Sequence, residues 1–198
     1  MKRLTLAIIG CLVLLPFVVQ AHTPIDGVTV GMLSQSRWFP LKLAGERVAT
    51  FFTFSSTKKF ERELRLAGLR LSETQAMCED AENCDATTLT KRYQQQLERA
   101  ERAAARVPKK DQEKVSEKLK TALAQHDVSL SEIRDDAPSN AFEALTMASE
   151  RSHQTLRQAF DSVTKNLTPD LQQRLTEEIE KAETGRINAE KLKQKLGQ

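Results

Sequence analysis

The sequence predicts an all-α protein, an elongated antiparallel bundle of about five to six helices. Three observations lead there. From Pro40 onward, apolar residues recur every three or four positions. Proline, serine, threonine and aspartate fall where helices start and stop. The opposite faces are strongly charged, so each helix must shelter its apolar stripe against another. Strand signals are weak, confined to a lead around Val28, Val30 and Ser34–Ser36.

The helices follow in order. Pro40 suits a first helical position, and Leu41, Ala44, Val48 and Phe52 form the expected apolar stripe. Ser55-Ser56-Thr57 ends this helix and caps the next, expected from about Lys58 to Met77. Its stripe is Phe60, Leu64, Ala67, Leu71 and Gln75, with Glu61 and Arg65 paired on the outer face. Asp85 caps a third helix carrying Leu89, Tyr93, Leu97, Ala100 and Ala104, limited by Pro108. Val115, Leu119 and Leu123 mark a fourth, which either continues through Val128 and Ile133 or breaks near His126-Asp127. After Pro138-Ser139-Asn140 comes a fifth with Phe142, Leu145, Ala148, Leu156, Phe160 and Val163. Thr168-Pro169-Asp170 opens the last. Its apolar positions are Leu171, Leu175, Ile179, Ala182, Ala189, Leu192 and Leu196, with Gly185 a candidate bend. The expected organisation is a signal peptide over 1–21, an extended lead over 22–39, a helical domain over 40–165 and a long C-terminal helix over 166–198.

Lys2 and Arg3 precede an apolar run from Leu4 to Val19, and Val19-Gln20-Ala21 has the pattern cut by signal peptidase. The run has 16 residues, short of the roughly 20 that cross a bilayer. Export to the periplasm or beyond the cell is the expectation. Ile8-Ile9-Gly10-Cys11 fits a lipoprotein pattern locally, but Leu12 to Val19 stay apolar where a polar tether should begin. Removing residues 1–21 leaves 28 basic and 27 acidic residues. The signs are interspersed along the chain, with one Trp and one Tyr, so no nucleic-acid partner is expected. No later stretch is apolar enough to span a membrane.

Cys78 and Cys84 are the two cysteines after Ala21. In an oxidising compartment they can bridge, closing a loop worth about 2 kcal/mol. That would clamp the second and third helices into a hairpin. A redox motif needs two intervening residues and a zinc site needs more ligands; free thiols are the remaining alternative. Glu79, Asp80, Glu82 and Asp85 lack the spacing and glycine of a calcium loop. His126 and His153 have no partner ligand three or four residues away and are expected at the surface or its boundary. His22 would become the first residue on cleavage, so its amine and imidazole could chelate copper together with a further ligand. No serine elbow or phosphate cradle occurs. No catalytic residue and no cofactor are expected.

From about Leu33 to Phe160 the chain resembles an uncharacterised family of exported bacterial helical domains, a domain of unknown function. The resemblance rests on Trp38-Phe39-Pro40-Leu41-Lys42 followed by Glu46, and on Leu69-Arg70-Leu71-Ser72-Glu73. Weaker likenesses lie at Ala137-Pro138 and Glu150-Arg151-Ser152. It implies export and helical architecture, with no activity attached. Leu167-Thr168-Pro169-Asp170-Leu171-Gln172 is similar to the Leu-Thr-x-x-Gln motif of small periplasmic stress chaperones, with its glutamine one place late.

The functional expectation is a non-enzymatic interaction or scaffold protein of the cell envelope that engages a protein partner or itself. A holdase-like chaperone and a metal-handling protein are the alternatives. Trp38, Phe39, Phe51, Phe52 and Phe54 form the most aromatic stretch. It is weighed as a contact surface, with core packing the favoured explanation.

Overall fold

The structure is a computed structural model and describes residues 36–79 and 84–195. Six α-helices occupy these residues: α1 (Phe39–Phe51), α2 (Ser56–Cys78), α3 (Ala86–Ala104), α4 (Gln112–Asp136), α5 (Phe142–Thr164) and α6 (Pro169–Lys195). Among the described residues there is no strand, and no helix is long and apolar enough to cross a membrane. The expected leader over residues 1–21, the lead as far as residue 35, and His22 lie outside the described residues.

The local signals act where the sequence places them. Ser55 accepts the Lys58 amide at the start of α2, and Asp85 accepts the Thr88 amide at the start of α3. Each satisfies an amide that the helix itself leaves without a carbonyl. A short 3-10 turn follows Pro108 and another follows Pro138, leading into α4 and α5. Pro169 opens α6, which runs through Gly185 without a break.

α2, α3, α5 and α4 pack in a ring, each against the next, so that α3 and α4 face one another diagonally. Phe60, Leu71, Tyr93, Leu97, Leu119, Leu145 and Phe160 fill the space between them. α1 leans on α2 and α6 on α4. Leu175 and Ile179 of α6 are buried, while its described positions past Ile179 are mostly exposed. The side chains of Ala182, Ala189, Leu192 and Leu196, expected on its stripe, lie outside the described positions.

α4 continues through His126-Asp127 as one helix. His126 is 0% exposed, which corrects its expected place at the surface. Leu119, Leu123, His126, Leu130 and Ile133 form one inward stripe at helical spacing, and Val128 points to solvent. An imidazole is tolerated there because the Tyr93 hydroxyl hydrogen-bonds its Nδ1 at 2.9 Å across the bundle diagonal. His153 does lie at the boundary, with its Nδ1 3.2 Å from Asp127 and its Nε2 3.3 Å from Glu183 of α6. Phe142 is another correction. It is exposed at the first turn of α5, beneath the Arg134 guanidinium, while Ala141 takes the buried position. Glu61 pairs with Lys114 and Lys118 of α4 rather than with Arg65.

The Cys78 and Cys84 sulfurs lie 2.07 Å apart, a disulfide distance, with Cα atoms 4.4 Å apart. They join the end of α2 to the approach of α3, the hairpin geometry expected for them. Glu79 is exposed beside them, and Asp80 and Glu82 lie outside the described residues. Two outcomes follow for denaturant unfolding. Tyr93→Phe leaves the imidazole without this bond and should cost about 1 to 2 kcal/mol. Cys78→Ser should cost about 2 kcal/mol more under oxidising than under reducing conditions.

Candidate functional site

α1 is amphipathic in an unusual sense: its polar side faces the bundle and its apolar side faces water. Lys42, Leu43, Glu46, Ala49 and Thr50 are half-buried on the inner side. Leu41 is 66% exposed, Val48 56%, Phe51 77% and Phe52 63% on the outer side. Phe54, in the connection to α2, is 89% exposed, and Trp38, before the helix, 54%. The expected buried stripe of Leu41, Ala44, Val48 and Phe52 is therefore corrected: it is the outward face. Core packing, the favoured explanation for the aromatic stretch, holds for Phe39 alone, which is buried.

Charge explains the orientation. Arg70 of α2 is only 4% exposed. Its Nη1 donates to both Glu73 oxygens at 2.7 Å. Its Nη2 donates to Glu46 of α1. Lys42 of α1 reaches Glu73 at 2.5 Å. A buried guanidinium without carboxylates is very costly, and α2 alone supplies only Glu73. α1 must therefore turn Lys42 and Glu46 inward, and with them Phe39, two positions before Leu41. Three cations stand over the Phe39 ring: Lys42 Nζ at 5.4 Å, Arg70 Cζ at 5.7 Å and Arg92 Cζ at 5.0 Å. The inner face of α1 is thus anchored by ion pairs and one aromatic ring, with Leu43 and Ala49 half-buried beside them. Its apolar outer face has no cover from the described residues.

Beside this face, α1, α2 and α3 enclose a cleft of about 470 Å³. Besides the ion-paired Arg70, its cationic lining is the six residues Arg47, Lys59, Arg92, Arg99, Arg102 and Arg106, and the Phe51 ring forms part of its wall. Arg92, Arg99, Arg102 and Arg106 recur at helical spacing along α3 and just past its end. None of the six has an ion-pair partner among the described residues. Glu63 also lines the cleft. It is buried and accepts a hydrogen bond from Gln96. Burial pushes its carboxyl above the ordinary range, against the opposing pull of Arg99, Gln96 and Lys59. The positive signs that are interspersed along the chain are gathered here in space.

Residues 31–140 match the family described as Domain of unknown function (DUF5667). The chain belongs to that family. The DUF5667 match contains α1 to α4 and stops before α5, short of the end near residue 160 that the resemblance suggested. The fourth wall of the bundle, with Leu145, Leu156 and Phe160, is thus supplied by residues after the match. Of the residues on which the resemblance rested, Phe39, Lys42, Glu46, Arg70 and Glu73 meet in the ionic seat beneath α1. No curated protein and no solved structure matches the chain.

Among the described residues no group of three His, Cys, Asp or Glu side chains could hold a metal ion. The candidate interaction site is the outer face of α1 with its cationic cleft. Sequence reasoning noticed the aromatics and missed the arginines, whose helical spacing along α3 was the available signal. Glu73→Ala should destabilise the fold by about 3 to 5 kcal/mol, because it leaves the dry Arg70 with Glu46 as its one remaining carboxylate and takes from Lys42 its partner Glu73. Hydrogen exchange should rise first in residues 39–51, where α1 loses its seat.

Proposed function

We propose that this chain is an exported, non-enzymatic interaction protein of the cell envelope, docking through the outer face of α1. The observation that carries the reading is the inverted helix. Leu41, Val48, Phe51 and Phe52 are exposed on a helix held in place by buried ion pairs. Apolar side chains presented on a fixed backbone lose little freedom when a partner covers them. Contiguous apolar surface of this kind marks contact sites. The leader-like N-terminus and the paired Cys78 and Cys84 support placement in an oxidising compartment.

The same face favours one second reading, a holdase that covers exposed apolar segments of unfolded chains. That function requires the purified protein to suppress aggregation of several unrelated clients, and failure with all of them removes it. A copper site at His22 is carried by no described residue; equal copper affinity of the processed chain and its His22→Ala variant would remove that idea.

Phe51→Ser/Phe52→Ser/Phe54→Ser tests the main reading. These side chains are exposed, so thermal stability should change little. Co-sedimentation of the mature chain with isolated envelopes should fall about tenfold, the loss expected when aromatic anchors are removed from a contact. Unchanged co-sedimentation would remove α1 as the docking element.

A further inference from the structure

The proposed docking face does not end at the aromatics. Phe51 belongs to two surfaces at once: its ring is exposed with the outer face of α1 and also walls the cationic cleft. Lys58 and Lys59 follow Phe54 in the first turn of α2. Arg47 stands on α1 between the apolar Ala44 and Val48. A band of apolar side chains therefore lies directly beside a band of unpaired cations.

That pairing constrains the occupant. A small free anion would engage the arginines and leave Phe52, Phe54, Leu41 and Val48 in water. A purely apolar partner would leave the exposed cations Arg47, Lys58, Arg102 and Arg106 without an anion. A single-stranded nucleic acid would need flat aromatic platforms on which bases stack. The Phe51 and Phe52 rings instead meet edge to face, 85° apart with centroids separated by 5.5 Å, and Leu41 and Val48 offer no π face. An interfacial helix seated on an anionic bilayer needs both bands. Its apolar face enters the headgroup and acyl boundary, while arginine and lysine meet the phosphates.

The geometry points to a negatively charged phospholipid surface as the occupant of this site. Phe51, Phe52, Phe54, Val48 and Leu41 enter the interface, and Arg47, Lys58, Lys59, Arg102 and Arg106 hold the headgroup phosphates. Arginine suits this role because its planar fork donates two parallel hydrogen bonds to a phosphate. This assignment rests on the docking role of α1 proposed above and names its partner.

Trp38 is the single tryptophan of the chain and stands half-exposed at the start of α1, so it reports on the interface. The mature chain is titrated with phosphatidylcholine vesicles, with and without one-third phosphatidylglycerol. The expected result is a blue shift of Trp38 emission and vesicle co-flotation with the anionic vesicles only, weakened by high salt. Arg47→Gln/Arg102→Gln/Arg106→Gln should weaken binding at least about tenfold, since each cation near an anionic surface contributes. These three side chains are exposed, so the variant keeps its thermal midpoint, and the corresponding lysine triple should restore most of the binding. The triple serine variant at Phe51, Phe52 and Phe54 should lose binding as well. Inorganic phosphate alone should leave the Trp38 emission unchanged.

Equal binding to neutral and anionic vesicles, or none to either, would overturn the assignment. So would tighter binding of a single-stranded oligonucleotide. If vesicle binding fails while association with envelopes still depends on Phe51, Phe52 and Phe54, the docking role of α1 stands with a protein partner. If both fail, both readings fall together.

Discussion

Arg70 is a guanidinium taken almost entirely out of water in the middle of α2, and the arrangement around it follows from the need to compensate that charge. Glu73, one turn along, is the carboxylate within reach on the same helix, and it is itself nearly dry. Two charges in such a setting need further partners to satisfy their remaining donors and lone pairs. Glu46 and Lys42 supply them from α1. The first helix is thereby fixed in rotation as well as position. Leu41, Val48 and Phe51 face outward as a geometric consequence, because the two polar anchors four residues apart occupy the inner side with Phe39, Leu43 and Ala49.

This logic differs from that of the main bundle. α2 to α5 are held mainly by ordinary apolar stripes meeting in a shared core, and the Tyr93–His126 hydrogen bond crosses its diagonal. α6 is fastened by a smaller apolar contact through Leu175 and Ile179, reinforced at its surface by Lys120 with Glu178 and by Arg157 with Glu183. Pairs at the surface contribute little each, so the burial of Leu175 and Ile179 carries most of that attachment. α1 alone inverts the usual division. Buried charge secures it, and apolar surface is what it shows to its surroundings.

The functional consequence is a helix whose uncovered face is firmly presented. An apolar face on a loose helix would collapse onto the nearest core. Here the ion pairs hold it away from that collapse. The adjacent arginines give the same edge of the molecule a positive character that the modest net charge of +3 conceals. At the cleft, burial raises the Glu63 carboxyl above its ordinary range, against the pull of Arg99, Gln96 and Lys59.

The sequence by itself determined the helical class, the helix boundaries to within a few residues, and most of the core. Periodicity and capping are local properties: Phe60, Leu64, Ala67 and Leu71 lie on one stripe whatever they pack against, and Ser55 and Asp85 cap helices by contacts three residues away. Only the tertiary structure decided which way α1 turns, that His126 enters the core, and that scattered arginines converge on one cleft. Each of these depends on a partner distant in sequence. Glu46 finds Arg70 across 24 positions and Tyr93 finds His126 across 33. A pattern of hydrophobic residues records which side of a helix is greasy. It does not record whether a buried charge elsewhere will claim the other side.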